Sequence, residues 1–131
     1  MIRSDELDPL PAFEIEEAAP RTLLVRLRGD VDAAATARLR ADLDREFRET
    51  PFACLLVDLS RVTLLGSDAL DLLLELRRRC RVENRHVVLV GTGCPAVHRP
   101  LLVSGLLPLF DTRLTLQAAL HRPVVAPVRY R

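Results

Sequence analysis

Phe52-Ala53-Cys54-Leu55-Leu56-Val57-Asp58-Leu59 is an apolar run interrupted by a single aspartate. A strand with one face in water alternates apolar and polar residues. A run this continuous suits a strand buried on both faces, in a sheet that helices cover. His86-Val87-Val88-Leu89-Val90 reads the same way. Between the two, residues from about 67 to 82 have helical spacing, with Leu70, Leu73, Leu74 and Leu76 on the inner face. The far end of that stretch, Arg77-Arg78-Arg79, sets cations at the negative end of a helix dipole. Strand, helix and strand in this order make a crossover unit, the building block of a parallel sheet.

Upstream, Ala12-Phe13-Glu14-Ile15-Glu16 alternates as a half-buried strand does, and residues 22–28 read as a second strand after a turn at Pro20-Arg21. Gly29-Asp30-Val31-Asp32 breaks the pattern. A helix over about 33–48 follows, with Ala34, Ala37, Leu39, Leu43 and Phe47 as its apolar stripe and Asp32 at the N-cap. Thr50-Pro51 ends it. Downstream, Gly91-Thr92-Gly93-Cys94-Pro95 is a loop with proline at a helix start, and a third helix over about 95–104 stops at Ser104-Gly105. A short strand near 107–111 and a small helix near 114–121 complete the pattern. The order β-β-α-β-α-β-α-β-α predicts an α/β fold: a mixed, largely parallel sheet of about five strands with about four helices packed on it. Residues 12–121 form the domain, flanked by flexible segments at 1–11 and 122–131.

A chain of 131 residues, 49% of them hydrophobic, fits one domain with a real core. Nineteen basic residues against eighteen acidic ones leave a net charge of +1, without the basic excess of a nucleic-acid binder. The opening Met1-Ile2-Arg3-Ser4-Asp5-Glu6 is acidic with no apolar run behind it, and no apolar stretch approaches the ~20 residues of a membrane span. The expectation is a cytoplasmic protein without membrane insertion. Cys54, Cys80 and Cys94 lack zinc-ligand spacing and read as buried, reduced thiols.

No catalytic constellation emerges. His86, His98 and His121 are scattered, and neither a Gly-x-Ser-x-Gly elbow nor a Walker loop occurs. Gly91-Thr92-Gly93 lacks the third glycine of a phosphate-binding turn and reads as a plain turn. Cys94 and His98, four apart, read as packing. The expectation is therefore no enzyme, no cofactor and no metal. Ser67, between Gly66 and a helix, has two readings: an N-cap, or a hydroxyl open to phosphorylation. A phosphate there would add about −1.5 to −2 charges in one step.

Three blocks carry a resemblance: Gly29-Asp30-Val31-Asp32; Val57-Asp58-Leu59-Ser60-Arg61-Val62-Thr63-Leu64-Leu65-Gly66-Ser67-Asp68-Ala69-Leu70; and Pro95-Ala96-Val97-His98-Arg99 with Ser104-Gly105-Leu106. In order and spacing, across about residues 12–121, they resemble the STAS domain, in particular the bacterial anti-sigma factor antagonists. The resemblance implies a non-enzymatic partner switch. Such a protein binds an anti-sigma factor that is itself a serine kinase of the histidine-kinase-like ATPase fold. Phosphorylation of a serine at the start of the second helix breaks the complex, and a serine phosphatase restores it. Ser67 matches the phosphoacceptor, and Asp32 matches an aspartate that contacts the partner. The implied binding rim comprises Asp30, Asp32, Thr63, Leu65, Gly66, Asp68 and Ala69. Leu64 and Leu65 have two readings, an apolar contact on that rim or a continuation of the core.

The motif also departs from the family pattern, which reads Asp-Ser-Ser/Thr-Gly-Leu. Gly66 stands for the aspartate, Asp68 for the second hydroxyl residue and Ala69 for the glycine. Asp68 sets a permanent carboxylate beside the acceptor hydroxyl. These departures favour an alternative, a divergent STAS interaction subunit of a sensory scaffold or lipid-transport complex, in which Ser67 is not phosphorylated. Pro100 falls inside the third helix, where a missing N–H and a ring clash predict a kink or a later start than in relatives.

Overall fold

A computed structural model of the chain describes residues 12–121. The expected flexible segments at 1–11 and 122–131 lie outside the described residues. The elements are β1 (Phe13–Ala19), β2 (Thr22–Val31), α1 (Ala33–Glu49), β3 (Cys54–Leu65), α2 (Ser67–Val82), β4 (His86–Val90), α3 (Pro95–Val103), a 3₁₀ turn (Leu107–Leu109), β5 (Asp111–Arg113) and α4 (Leu116–His121). The sheet order is β1-β2-β3-β4-β5. β1 runs antiparallel to β2, and the other neighbours are parallel. This is the α/β fold and the element order that the sequence predicts.

The sheet is covered unequally. Leu23, Val25 and Leu27 of β2, with Leu55, Val57 and Leu59 of β3, project into the large core under α1, α2 and α3. The residues between them project the other way: Leu24, Cys54, Leu56, Val88 and Val90 form a smaller core closed by Ala119 of α4. Val87 and Leu89 of β4 join the large core, so β3 and β4 are apolar on both faces, which is why those two strands read as unbroken runs.

Helix phase differs from the expectation in two places. In α1 the buried stripe is Ala35, Thr36, Leu39, Leu43 and Phe47, while Ala34 and Ala37 are exposed. Four alanines in the first five residues carry too little hydrophobic contrast to fix the phase. In α2 the buried residues are Ala69, Leu72, Leu73, Leu76 and Cys80, with Leu70 and Leu74 at the margin of the core. Leucine at 70, 72, 73, 74 and 76 leaves the phase to the packing. α3 runs continuously from Pro95 through Pro100 to Val103.

The C-terminal carbonyls of α1 find an unusual partner. Arg85, just before β4, donates to Phe47 O at 3.0 Å and to Thr50 O at 3.2 Å, and its guanidinium lies 4.0 Å from the Phe52 ring centroid. A cation there satisfies carbonyls that the helix leaves open and complements the helix dipole.

Cys54 and Cys80 are buried and Cys94 is half-buried, so the expectation of buried thiols holds fully for two of the three. Burial, which disfavours the thiolate, pushes Cys54 up to about 11 and Cys80 up to about 12 from an ordinary value of 9.0. The unfolded chain therefore releases these protons first as pH rises. Stability is unaffected below pH ~9 by these groups and falls between pH ~9 and ~12. Urea titrations at pH 8 and pH 10 are expected to show that loss, and Cys80→Ala to reduce it. An equal loss in the variant would rule the thiol out as its source.

Candidate functional site

β3 extends past the apolar run to Leu65 because two irregularities carry it around polar residues. Opposite Arg26 and Arg28 stand Asp58 and Arg61, and opposite Gly29 and Asp30 stand Val62 and Leu64, so β3 holds an extra residue at each place. A bulge of this kind resets which face the following residues occupy. As a result Thr63 and Leu64 are both exposed, Leu64 by 55%, while Leu65 returns to the core at 4%. Gly29, on β2 beside the second irregularity, has left-handed backbone with φ of 69°.

The last paired residues of β2 and β3 are Val31 and Leu65. One residue beyond each, a helix begins: α1 after Asp32 and α2 after Gly66. The rim is therefore a pair of neighbouring helix N-termini at the C-terminal ends of two adjacent strands. Asp32 Oδ1 accepts the Ala35 N–H at 2.8 Å, so this aspartate is the N-cap that the sequence predicts. Gly66 has extended backbone and caps α2 without a side-chain hydrogen bond. Ser67 is thus not the N-cap. It is the first residue inside the helix, it is exposed, and its hydroxyl has no hydrogen-bond partner among the described residues.

Of the residues that the sequence assigns to the rim, Asp30, Asp32, Thr63 and Asp68 are exposed, as Ser67 is. Leu65 and Ala69 are each 4% exposed and present no side chain to a partner, because strand and helix parity turns both inward. Leu64 takes the apolar place on the rim instead. The first turn of α2 carries Asp68, a carboxylate that the helix dipole favours there. Among the described residues no group of three or more His, Cys, Asp or Glu side chains could hold a metal ion.

A recess of about 360 Å³ lies beyond the end of β4 and beside β5, lined by Thr92, Gly93, His98, Phe110, Thr112 and Leu114 among others. It gathers His98 with two threonines and apolar groups but not Cys94, and holds no acid–base pair. No helix among the described residues is long and apolar enough to cross a membrane.

Comparison with known proteins gives the same architecture. SpoIIAA in its unphosphorylated form, described as an anti-sigma factor antagonist, is 23% identical over 85% of this chain and 95% of its own, with a TM-score of 0.75. Its phosphorylated form, described as a Bacillus cell fate determinant, is 22% identical over 85% and 98%, with a TM-score of 0.70. An anti-sigma factor antagonist from Mycobacterium paratuberculosis is 26% identical over 83% and 90%, with a TM-score of 0.66. A sulfate transporter family protein from Wolinella succinogenes is 16% identical over 81% and 87%, with a TM-score of 0.69. The STAS domain family model matches residues 14–119, from the first strand into the last helix, and takes in both helix N-termini of the rim. With the element order, the sheet order and that match in agreement, the chain belongs to the STAS domain family.

Proposed function

We propose that the protein is an anti-sigma factor antagonist, a non-catalytic regulator that binds an anti-sigma factor and so controls sigma-dependent transcription indirectly. The observation that carries this reading is Ser67: an exposed hydroxyl with no structural duty, at the uncapped start of α2, on a rim shared with the start of α1. A phosphate on that hydroxyl would sit where helix N–H groups favour an anion, yet beside Asp68 and near Asp30 and Asp32, which oppose it. Either way the charge of the rim changes in one step, which is what a partner switch requires. Leu64 gives the partner an apolar foothold among those carboxylates. The partner in this reading is a serine kinase of the histidine-kinase-like ATPase fold, opposed by a serine phosphatase. The existence of SpoIIAA in both phosphorylated and unphosphorylated forms supports it.

The test is intact mass after incubation with an anti-sigma factor kinase and ATP. One added phosphate is expected on the protein and none on Ser67→Ala. Gly66 tolerates a larger residue, since a Cβ there would lie 3.8 Å from Val31 O, so Gly66→Asp restores the family's aspartate without a clash. Faster phosphorylation of Gly66→Asp is expected if that aspartate guides the kinase. If neither form gains a phosphate from a kinase active on another antagonist, the phosphoswitch is excluded. Binding unchanged by ATP would then assign the chain to the constitutive interaction subunits.

A further inference from the structure

We infer that the recess between β2, β3 and α4 binds a small phosphate-bearing anion. It has a volume of about 330 Å³, and Arg26, Arg28, Asp58, Ser60 and Arg61 line it together with Leu116 of α4. It lies on the sheet face of the smaller core, away from the helices that form the rim, and the inference is independent of the role of Ser67.

The placement follows from the register. Arg26 and Arg28 are two apart on β2 and share a face with Leu24, which belongs to the smaller core. Without the extra residue in β3, Ser60 would stand opposite Arg28. With it, Arg61 takes that place and a third cation joins the group. The single carboxylate in the lining is already engaged: Asp58 Oδ1 accepts the Ser60 N–H at 3.0 Å across the irregularity. Asp58 forms no ion pair with the arginines among the described residues.

Three guanidinium groups and the Asp58 carboxylate thus line the recess, and Glu14 offsets a second of the positive charges. Arg28 is paired with Glu14 at 3.2 Å. Arg26 and Arg61 have no hydrogen-bond or ion-pair partner among the described residues, and the Arg26 Nε is buried with nothing to accept its proton. A buried donor of this kind ordinarily finds an acceptor, and the acceptor for a charged donor is best an anion. Arginine forks match the oxygens of a phosphate with two parallel bonds, and the forks of Arg26 and Arg61 can hold one phosphate between them, where a carboxylate engages only one fork. The volume, near the lower end for small-molecule sites, leaves room for a short organic body beside the phosphate.

Thermal unfolding of the full chain at constant ionic strength tests this with three probes: inorganic phosphate, glycerol phosphate as a monoester, and acetate as a monoanion. A saturable rise of the midpoint with either phosphate probe and none with acetate is expected. Arg61→Gln, an exposed change that leaves the fold intact, is expected to weaken that binding about tenfold. Arg78→Gln, on the solvent side of α2, is expected to leave it unchanged. Saturation at lower concentration by glycerol phosphate would assign the organic ester as the ligand, and the reverse would assign free phosphate. No saturable shift, an equal shift with acetate, or equal affinity in Arg61→Gln and the parent protein would overturn the inference.

Discussion

Gly91→Ala is expected to destabilise the fold by about 2–5 kcal/mol, more than any change on its surface. Gly91 follows β4 directly and has φ of 73°, where a side chain costs about 1–2 kcal/mol. The space is closed as well. A Cβ at this position would lie 2.6 Å from Ser60 Cβ, 2.8 Å from Ser60 Cα and 2.9 Å from Ser60 N, so backbone has to move. Overpacking of this kind adds about 1–3 kcal/mol. Gly105 is the control: its φ is 80°, but nothing lies within 4 Å of its Cβ position, so alanine there meets the strain alone. Urea midpoints of the two variants separate the effects. Equal losses would mean that the approach of Gly91 to Ser60 does not matter.

Leu55→Ala is expected to cost a comparable ~2–5 kcal/mol by another route. Leu55 is 0% exposed, near the start of the central strand, and projects into the core beneath α1, α2 and α3. Pairing to Leu23 on one side and Val87 on the other holds its backbone in place, so the surroundings have little freedom to close around the missing atoms. Domains of this kind have only ~5–15 kcal/mol in total, so the urea midpoint should fall by a large fraction of its value. Leu55→Ile keeps the volume and is expected to lose less than ~1.5 kcal/mol. A similar loss in both variants would place the cost in side-chain shape instead of the cavity.

The parts of the fold that the sequence discloses are those with strong contrast. Two apolar runs at 52–59 and 86–90, with a helix between them, were sufficient for the parallel centre, and Gly29-Asp30-Val31-Asp32 for the start of α1. The end of β3 was not legible, because Ser60, Arg61 and Thr63 interrupt the apolar pattern where the strand bulges, and a bulge leaves no compositional mark. The last strand reads as 107–111 in the sequence. In the structure Leu107–Leu109, with Pro108 inside it, is a 3₁₀ turn, and the strand is Asp111–Arg113, three polar residues at a sheet edge. Hydrophobicity cannot signal such a strand. The rim was legible through a motif, but the choice between Leu64 and Leu65 depended on strand parity after the bulge. The arginine recess was invisible for the same reason, since Arg26 and Arg61 are 35 positions apart and only the register unites them.

The unequal cover of the sheet has a consequence for how the molecule opens. α4 has six residues and places one fully buried side chain, Ala119, on the smaller core, whereas three longer helices seal the other face. Local opening follows the fewest contacts, so α4 is the element that detaches at the lowest free energy, and amide exchange should be fastest there. Cys54 belongs to the smaller core that α4 helps to close, and Cys80 to the sealed core. The two thiols are thus internal clocks for different events: Cys54 is expected to report opening of the smaller core, and Cys80 the loss of the whole fold.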